Sequence, residues 1–388
     1  MRTICIFTSS RADYYLLSKL ALKLNNYKNI KVQILVSGTH LLKKYGYLYK
    51  EITKIHKNVF TCKIIDSSKK NIFTLDVFSK TIKKTGEKLN ELNPDIFVVL
   101  GDRYEAFAAT ISANMLKIPI AHISGGEVTE GALDDSFRHS MTKLSNIHFV
   151  GHQIYKKRVM QLGEDKKNIF VVGGTGSEDI KKIKFFKKNF LEKNLNLKFK
   201  KKNLIITIHP ETINISNNKK IINSLFPVLK KMNDTLVIFT SPNIDPGSDI
   251  IEKSIHNLVK NNINFKYFKN LGIQKYFSCI KHCDAVVGNS SSGITEVPSL
   301  GKFTINLGDR QKGRLFAKSI INCKLSKKDI NISFKKIYNR NYQKNLINLI
   351  NPYYKKNTTI KIAKVLKFIN LKKILSKKFI DIKQYGKK

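Results

Sequence analysis

The stretch GGEVTEGALDDSFRH, residues 125–139, places Glu127, Glu130, Asp134 and Asp135 in one loop of a chain with 71 Lys and Arg against 28 Asp and Glu. Carboxylates crowded together repel one another, which pushes some toward the protonated form and lets one act as acid while a neighbour acts as base. If DDSFRH enters a helix, Asp134 and Arg138 stand four apart on one face, where the guanidinium can hold the acid's orientation and charge. Gly125 and Gly126 ahead of them permit close backbone approach or positive φ. The competing reading is that Asp134 or Asp135 only caps the helix SFRHSMTKLS, which leaves the other for chemistry.

Further chemistry-bearing residues follow apolar runs. Asp102 ends IFVVLGD and is either a reactive carboxylate or the N-cap of RYEAFAATISANML. Arg11, Arg103, Arg310 and Arg314 also sit just beyond such runs, and an Arg fork grips phosphate oxygens in a way that Lys does not. Any one of them alone reads more readily as a surface ion pair than as a ligand, but four at convergent strand ends reverse that balance. His209, before Pro210, can donate to a diphosphate or act as a general acid, or be a satisfied structural histidine. GNSSSGITEV offers Ser290 and Ser291 ahead of an expected helix start at residues 292–296, a pattern that suits a phosphate held by backbone N–H groups. Its plain alternative is a serine N-cap. Glu296, expected in the first turn, can accept from a ribose diol or simply complement the helix dipole. Cys279, His282 and Cys283 lack the fourth ligand that a zinc site needs, and no metal or cofactor is expected.

The elements that must carry these residues alternate in βαβ fashion. Strands are predicted at 3–8, 31–36, 96–100, 118–123, 147–150 and 169–172, then at 204–209, 235–240, 263–268, 284–288 and 303–307. Two α/β domains in tandem imply a cleft, and ligands bind beyond the carboxyl ends of parallel strands. The lysine-rich stretch 181–203 is the expected linker region, helical rather than Pro/Gly-flexible. No stretch reaches the roughly 20 apolar residues of a membrane span, and the start carries Arg11 and Asp13 before any leader-like apolar run. Five scattered cysteines point to reduced thiols, and a cytoplasmic protein is expected. A net charge of +43 favours polyanions in general, but no finger, RNP-like or recognition-helix pattern accompanies it, so no specific nucleic-acid function is expected.

SSRADYYLL, SGTHLLKKYG, GDRYEAFAA, GGEVTEGALDDSFRHSMTKLS, QLGED, IHPET, PNIDPGS, GNSSSGITEV, INLGDRQKGR and NPYY together resemble the hydrolysing branch of the UDP-N-acetylglucosamine 2-epimerase family over nearly the whole chain. The resemblance implies two Rossmann-like domains in the GT-B arrangement with the active site in the interdomain cleft. Residues 1–180 would form the first domain and 181–350 the nucleotide-binding second domain. Residues 351–370 would hold a helix crossing back, and 371–388 a solvated basic tail. It implies that Arg11, Arg103, His209, Ser290, Ser291, Glu296 and Arg310 contact the UDP portion, and that Asp102, Asp134 and Arg138 belong to the catalytic centre. Many relatives have a catalytic Glu where this chain has Ser124, and Glu127 is the carboxylate available to replace it. SGGEVTE stands where the non-hydrolysing branch has an EAGLRT-like segment, which favours hydrolysis. The implied reaction converts UDP-GlcNAc and water to ManNAc and UDP by elimination and hydration, for sialic-type acid synthesis. A UDP- or GDP-linked 2,4-diacetamido-trideoxy sugar is the alternative substrate, and a GT-B glycosyltransferase the alternative class. A homodimer is implied by the family alone.

Overall fold

The protein is described from a computed structural model that covers residues 1–65, 74–243 and 245–381. It divides into two compact units, the first comprising Met1–Glu127, Asp134–Thr175 and the chain from Lys355 onward. Seven strands build its sheet: β1 (Arg2–Thr8), β2 (Ile30–Ser37), β3 (Val59–Cys62), β4 (Ile96–Leu100), β5 (Ile120–Ile123), β6 (Ile147–Val150) and β7 (Ile169–Val171). All neighbours are parallel, in the order β3-β2-β1-β4-β5-β6-β7. The strands are continuous aliphatic runs because both faces of the sheet are covered. Ile4, Ile6, Val98 and Ala121 pack on one side with the helix Arg11–Asn25. Cys5, Phe7, Phe97 and Val99 pack on the other with the helices Thr74–Leu92 and Tyr104–Met115. The order reverses between β1 and β4, the kind of switch point at which the loops splay apart and leave a crevice.

The last helix, Thr358–Phe368, buries Ile362, Ala363 and Leu366 in the first side of this core. Arg2 donates to the carbonyls of Leu366, Lys367 and Ile369 at 2.7, 2.7 and 2.9 Å, satisfying acceptors that the helix end leaves open. Beyond it the chain departs from the expectation of a solvated tail. Ile374 is buried, its carbonyl accepts from Asn146 Nδ2 at 3.0 Å, and Ile380 N–H donates to the Gly163 carbonyl at 3.0 Å. Lys377 lies against the end of the helix Asp134–Leu144, where open carbonyls and the buried Glu164 call for a cation. Residues 382–388 of the expected tail lie outside the described residues.

The second unit comprises Val128–Leu133 and Gly176–Tyr354. Its strands are β8 (Lys202–Thr207), β9 (Thr235–Thr240), β10 (Phe265–Phe268), β11 (Ala285–Gly288), β12 (Phe303–Leu307) and β13 (Ile320–Cys323), parallel in the order β10-β9-β8-β11-β12-β13. Here the order reverses between β8 and β11. Within 181–203 the chain forms the helix Lys188–Leu195, and Leu191, Leu195, Leu197 and Phe199 are buried in this unit's core.

Six residues of the acidic loop, Val128–Leu133, are also part of the second unit. Glu130 N–H donates to the Lys312 carbonyl at 3.0 Å, and its carboxylate meets Lys312 Nζ at 2.8 Å. Leu133 N–H donates to Thr212 Oγ1 at 2.9 Å. Gly131 lies so close to the 309–310 backbone that a Cβ there would fall 2.6 Å from Asp309. Glu130 is thereby accounted for by an ion pair, which leaves Glu127, Asp134 and Asp135 as the loop's candidates for chemistry.

Candidate active site

In the first unit the candidates gather at the carboxyl ends of β1, β4 and β5. The turn after β1 is organised by Asp13, which accepts from Thr8 Oγ1 at 2.6 Å and from the Ser9 and Ser10 N–H groups at 3.0 and 3.1 Å. Burial alone would raise this carboxyl, but its hydrogen bonds, together with His40 beside it, hold it below the ordinary value. The turn so fixed presents Arg11, whose guanidinium donates to the Tyr45 carbonyl at 2.7 Å.

After β4, Gly101 takes φ +81 and leads into Asp102 and Arg103. Arg103 forks onto Glu105, with Nε at 3.1 Å and Nη2 at 3.3 Å from the two carboxylate oxygens, and Glu105 is buried. Asp102 is paired with Arg138 from the helix Asp134–Leu144. Arg138 is itself buried, and its Nη1 donates to the Glu127 carbonyl at 3.0 Å and to Asp135 Oδ1 at 3.1 Å. A buried cation thus ties together Asp102, Asp135 and the backbone of Glu127. The helical spacing anticipated an acid beside Arg138 on one face. The acid recorded against Arg138 within this helix is Asp135, three residues away, the neighbour of the Asp134 that the four-residue spacing pointed to.

The turn after β5 is an arch of unusual backbone. Ser124 has φ +70 and Gly126 φ +74, and Ser124 N–H donates to the Phe149 carbonyl at 2.8 Å. A Cβ on Gly126 would fall 2.5 Å from the Tyr155 carbonyl oxygen, so the sharp approach needs glycine. A left-handed non-glycine residue stores strain and is a reason to look for function nearby. The arch delivers Glu127 into a buried position. Beneath it, His122 Nε2 lies 2.8 Å from the Gly101 carbonyl and must donate to it, which ties the β5 turn to the β4 turn that carries Asp102. Burial pushes His122 down to about 3, so the ring is a neutral strut.

The second unit's candidates gather likewise at β8, β11 and β12. Asn289 clamps His209 through both backbone groups: its Oδ1 accepts from His209 N–H at 2.7 Å and its Nδ2 donates to the His209 carbonyl at 2.8 Å. His209 Nδ1 accepts from Asn243 N–H at 3.0 Å. With that nitrogen used as acceptor, the ring proton sits on Nε2, which makes the side chain a donor. Gly288, with φ +132, lies so close to β8 that a Cβ would fall 1.9 Å from the Thr207 carbonyl oxygen.

Ser290 caps the short helix Ser291–Thr295, accepting from Ser292 N–H at 3.4 Å, while Ser291 is exposed. Glu296 departs from its expected place in a first turn. It follows the last residue of that helix and stands at the N-terminal end of the short 3-10 turn Val297–Leu300. Arg310, in the turn after β12, donates from Nη1 to the Asn289 carbonyl at 3.2 Å, and Gln311 Nε2 reaches the same oxygen at 2.9 Å.

Sequence reasoning did not single out Asp13, Glu211, Asn289 or His122 for any role, although all lie within or beside the motifs it used. For His122, within β5, and Asn289, directly after β11, the signal was a polar residue in an otherwise apolar setting at a strand end; Asp13 and Glu211 lie in polar segments that carry no such signal. Cys279 and Cys283 are buried, burial pushes the Cys279 thiol up to about 12, and His282 Nε2 is engaged with the Phe186 carbonyl at 3.1 Å. Among the described residues no group of three or more His, Cys, Asp or Glu is arranged to hold a metal ion, and no helix is long and apolar enough to cross a membrane.

The sequence profile of the UDP-N-acetylglucosamine 2-epimerase family matches residues 22–367. The chain is 40% identical over 98% of its length, and 99% of the relative's, to the GDP/UDP-N,N'-diacetylbacillosamine 2-epimerase (hydrolyzing) of Campylobacter jejuni. It is 34% identical over 98% of both chains to the polysialic acid biosynthesis protein P7 of Escherichia coli. In fold it is similar to the UDP-GlcNAc 2-epimerase of Neisseria meningitidis solved with UDP-GlcNAc, at a TM-score of 0.80 and 20% identity, covering 95% of this chain and all of that one.

Proposed function

Because the chain belongs to the UDP-N-acetylglucosamine 2-epimerase family, we propose that it acts as a hydrolysing 2-epimerase on a UDP- or GDP-linked 2,4-diacetamido-trideoxyhexose. The observation that carries the choice of sugar is the 40% identity, end to end, to the Campylobacter jejuni enzyme named for diacetylbacillosamine. UDP-GlcNAc is the second reading, favoured by the sugar nucleotide for which the matching family is named.

In the proposed reaction a carboxylate removes the C2 proton while the C1–O bond breaks and its electron pair leaves with the nucleoside diphosphate. Water then adds to C1 of the resulting glycal, and a proton returns to C2 on the opposite face. Free 2-epimeric sugar and nucleoside diphosphate are the products, and atoms balance without a cofactor. Asp102, Glu127 and Asp134 are the proposed acid/base groups, with Arg138 holding Asp102 in place. Arg11, Arg103, His209, Ser290, Ser291, Glu296 and Arg310 are proposed for the nucleotide. The donor at His209 Nε2 and the Arg310 guanidinium suit the negative charge that grows on the departing diphosphate. Arg103 would have to share its fork between Glu105 and the ligand.

Proton NMR in deuterated water, with UDP- and GDP-linked diacetylbacillosamine and with UDP-GlcNAc, tests both parts. Release of the 2-epimer with deuterium at C2 supports the route, and the substrate with the highest kcat/KM settles the sugar. Faster turnover of UDP-GlcNAc than of either diacetamido sugar overturns the substrate assignment. Transfer of the sugar to an acceptor, with no free 2-epimer, overturns the reaction.

A further inference from the structure

Glu211 is fully buried, two residues beyond His209, and its carboxylate accepts from neutral donors. Its Oε2 accepts from Asn217 Nδ2 at 2.7 Å, and its Oε1 accepts from Asp309 N–H at 3.2 Å, with the Arg310 N–H also directed at the carboxylate. Its own backbone is held by Asn218, whose Oδ1 accepts from Glu211 N–H at 2.8 Å. The partner loop is shaped to reach it. Gly308 takes φ +72, and a Cβ there would fall 2.5 Å from Glu211 Oε1, so the turn after β12 closes directly onto the carboxylate. A carboxylate buried among neutral donors is costly to keep. This one is used to gather the amides at the start of the turn that carries Arg310.

We propose that Glu211 is a positioning residue for nucleotide recognition: by accepting the Asp309 and Arg310 amides it sets the turn that aims the Arg310 guanidinium at the diphosphate. The Asn289 carbonyl, which receives Arg310 Nη1, is the second anchor of the same side chain, so backbone and guanidinium are each pinned once. Without Glu211 the two amides lose their acceptor, the turn relaxes, and Arg310 is no longer held for its ligand. This inference rests on the proposed role of Arg310.

The test is calorimetric titration with whichever of UDP and GDP the wild type binds more tightly, alongside the matching nucleoside, on Glu211→Ala, Glu211→Gln, Arg310→Ala and the double variant Glu211→Ala/Arg310→Ala. Loss of one anchoring hydrogen-bond acceptor should weaken diphosphate binding roughly tenfold in Glu211→Ala. Nucleoside binding should be unchanged, a distinction that general damage to the domain would erase. Glu211→Gln keeps an oxygen for the Asp309 amide and should recover affinity to within about threefold of wild type. In the double variant the Glu211 change should add nothing to the loss already caused by Arg310→Ala. If Arg310→Ala leaves diphosphate affinity unchanged, the nucleotide reading of Arg310 fails. If Arg310→Ala weakens binding but Glu211→Ala does not, or if the two losses simply add, the positioning role fails. Equal loss of nucleoside and diphosphate affinity, with no rescue by Gln, also overturns it.

Discussion

Lys377→Met gives a prediction whose size follows from the contacts. Lys377 Nζ donates to the carbonyls of Lys143 and Ser145 at 2.7 and 2.6 Å and meets Glu164 Oε1 at 2.8 Å. These carbonyls lie at the C-terminal end of the helix Asp134–Leu144, so the ammonium caps the element that carries Asp134, Asp135 and Arg138. Glu164 is buried and also accepts from His148 Nε2 and Lys143 Nζ, both at 3.0 Å. Burial raises its carboxyl, but these partners more than offset that and bring it from 4.5 to about 2. Burial lowers His148, which is therefore neutral near pH 7, so the cations that keep Glu164 ionised are Lys377 and the half-exposed Lys143. Removing one partner of a buried ion pair costs about 3–5 kcal/mol, and Lys143 remains to limit the loss, so about 3 kcal/mol is expected. For a unit of this size that lowers the melting temperature by roughly 6–12 °C at pH 7. The sign with pH follows from the lowered carboxyl. Its contribution is fully present above about 4.5 and is lost as pH falls toward about 2. Melting followed by circular dichroism should therefore show a gap between wild type and Lys377→Met that is widest at neutral pH and narrows in acid, leaving only the helix-capping part. A variant that melts with wild type at pH 7, or a gap that stays constant into acid, refutes the reasoning.

Three further substitutions separate chemistry, binding and folding. Asp102→Asn keeps an oxygen for Arg138 and should leave nucleotide affinity near normal while turnover falls roughly 10²–10⁴-fold; comparable wild-type turnover removes Asp102 from the mechanism. Ser290→Ala should cost at most about 1 kcal/mol of stability through the lost cap but weaken nucleoside diphosphate binding roughly tenfold, and an unchanged titration rejects its role in phosphate binding. Gly288→Ala sets a Cβ against the Thr207 carbonyl at an unfavourable φ and should destabilise the second unit by at least about 3 kcal/mol, visible as rapid limited proteolysis; wild-type resistance contradicts the close approach of β11 to β8.

Long, doubly covered strands were legible because a parallel sheet between helices demands unbroken aliphatic runs, and IFVVL, TLVIFT and FTINL have no other sensible use. The strands that escaped, β3 (Val59–Cys62) and β13 (Ile320–Cys323), are four-residue edge strands, paired on one side only and too short to show a period. The positions of the candidate residues at strand ends were legible for the same reason as the strands. Their partners were not, since which carboxylate meets Arg138, or which amide meets Glu211, depends on loops distant in sequence closing on one another. Lys377 shows the limit most clearly: in composition it is one lysine among many in a basic stretch, and only the packed end of a helix with open carbonyls distinguishes it.

The acidic loop with which the sequence draws attention is resolved into separate tasks by this packing. Glu130 is spent on Lys312, and the six residues around it are embraced by the turns at Thr212 and Asp309 in the second unit. Glu127 precedes this strap and Asp134 follows it, both in the first unit. The chain therefore leaves the first unit at one candidate acid and re-enters it at another, and the stretch between them is pinned to the turn that carries Arg310. That placement gives the loop's length and its glycines a physical reason. Gly126 lets the chain leave β5 sharply, and Gly131 lets it lie against the 309–310 backbone, where a Cβ would fall 2.6 Å from Asp309. The concentration of acid in an otherwise basic chain thus reflects two demands met in one segment, a carboxylate cluster anchored by the buried Arg138 and a surface ion pair that fastens the strap between its members.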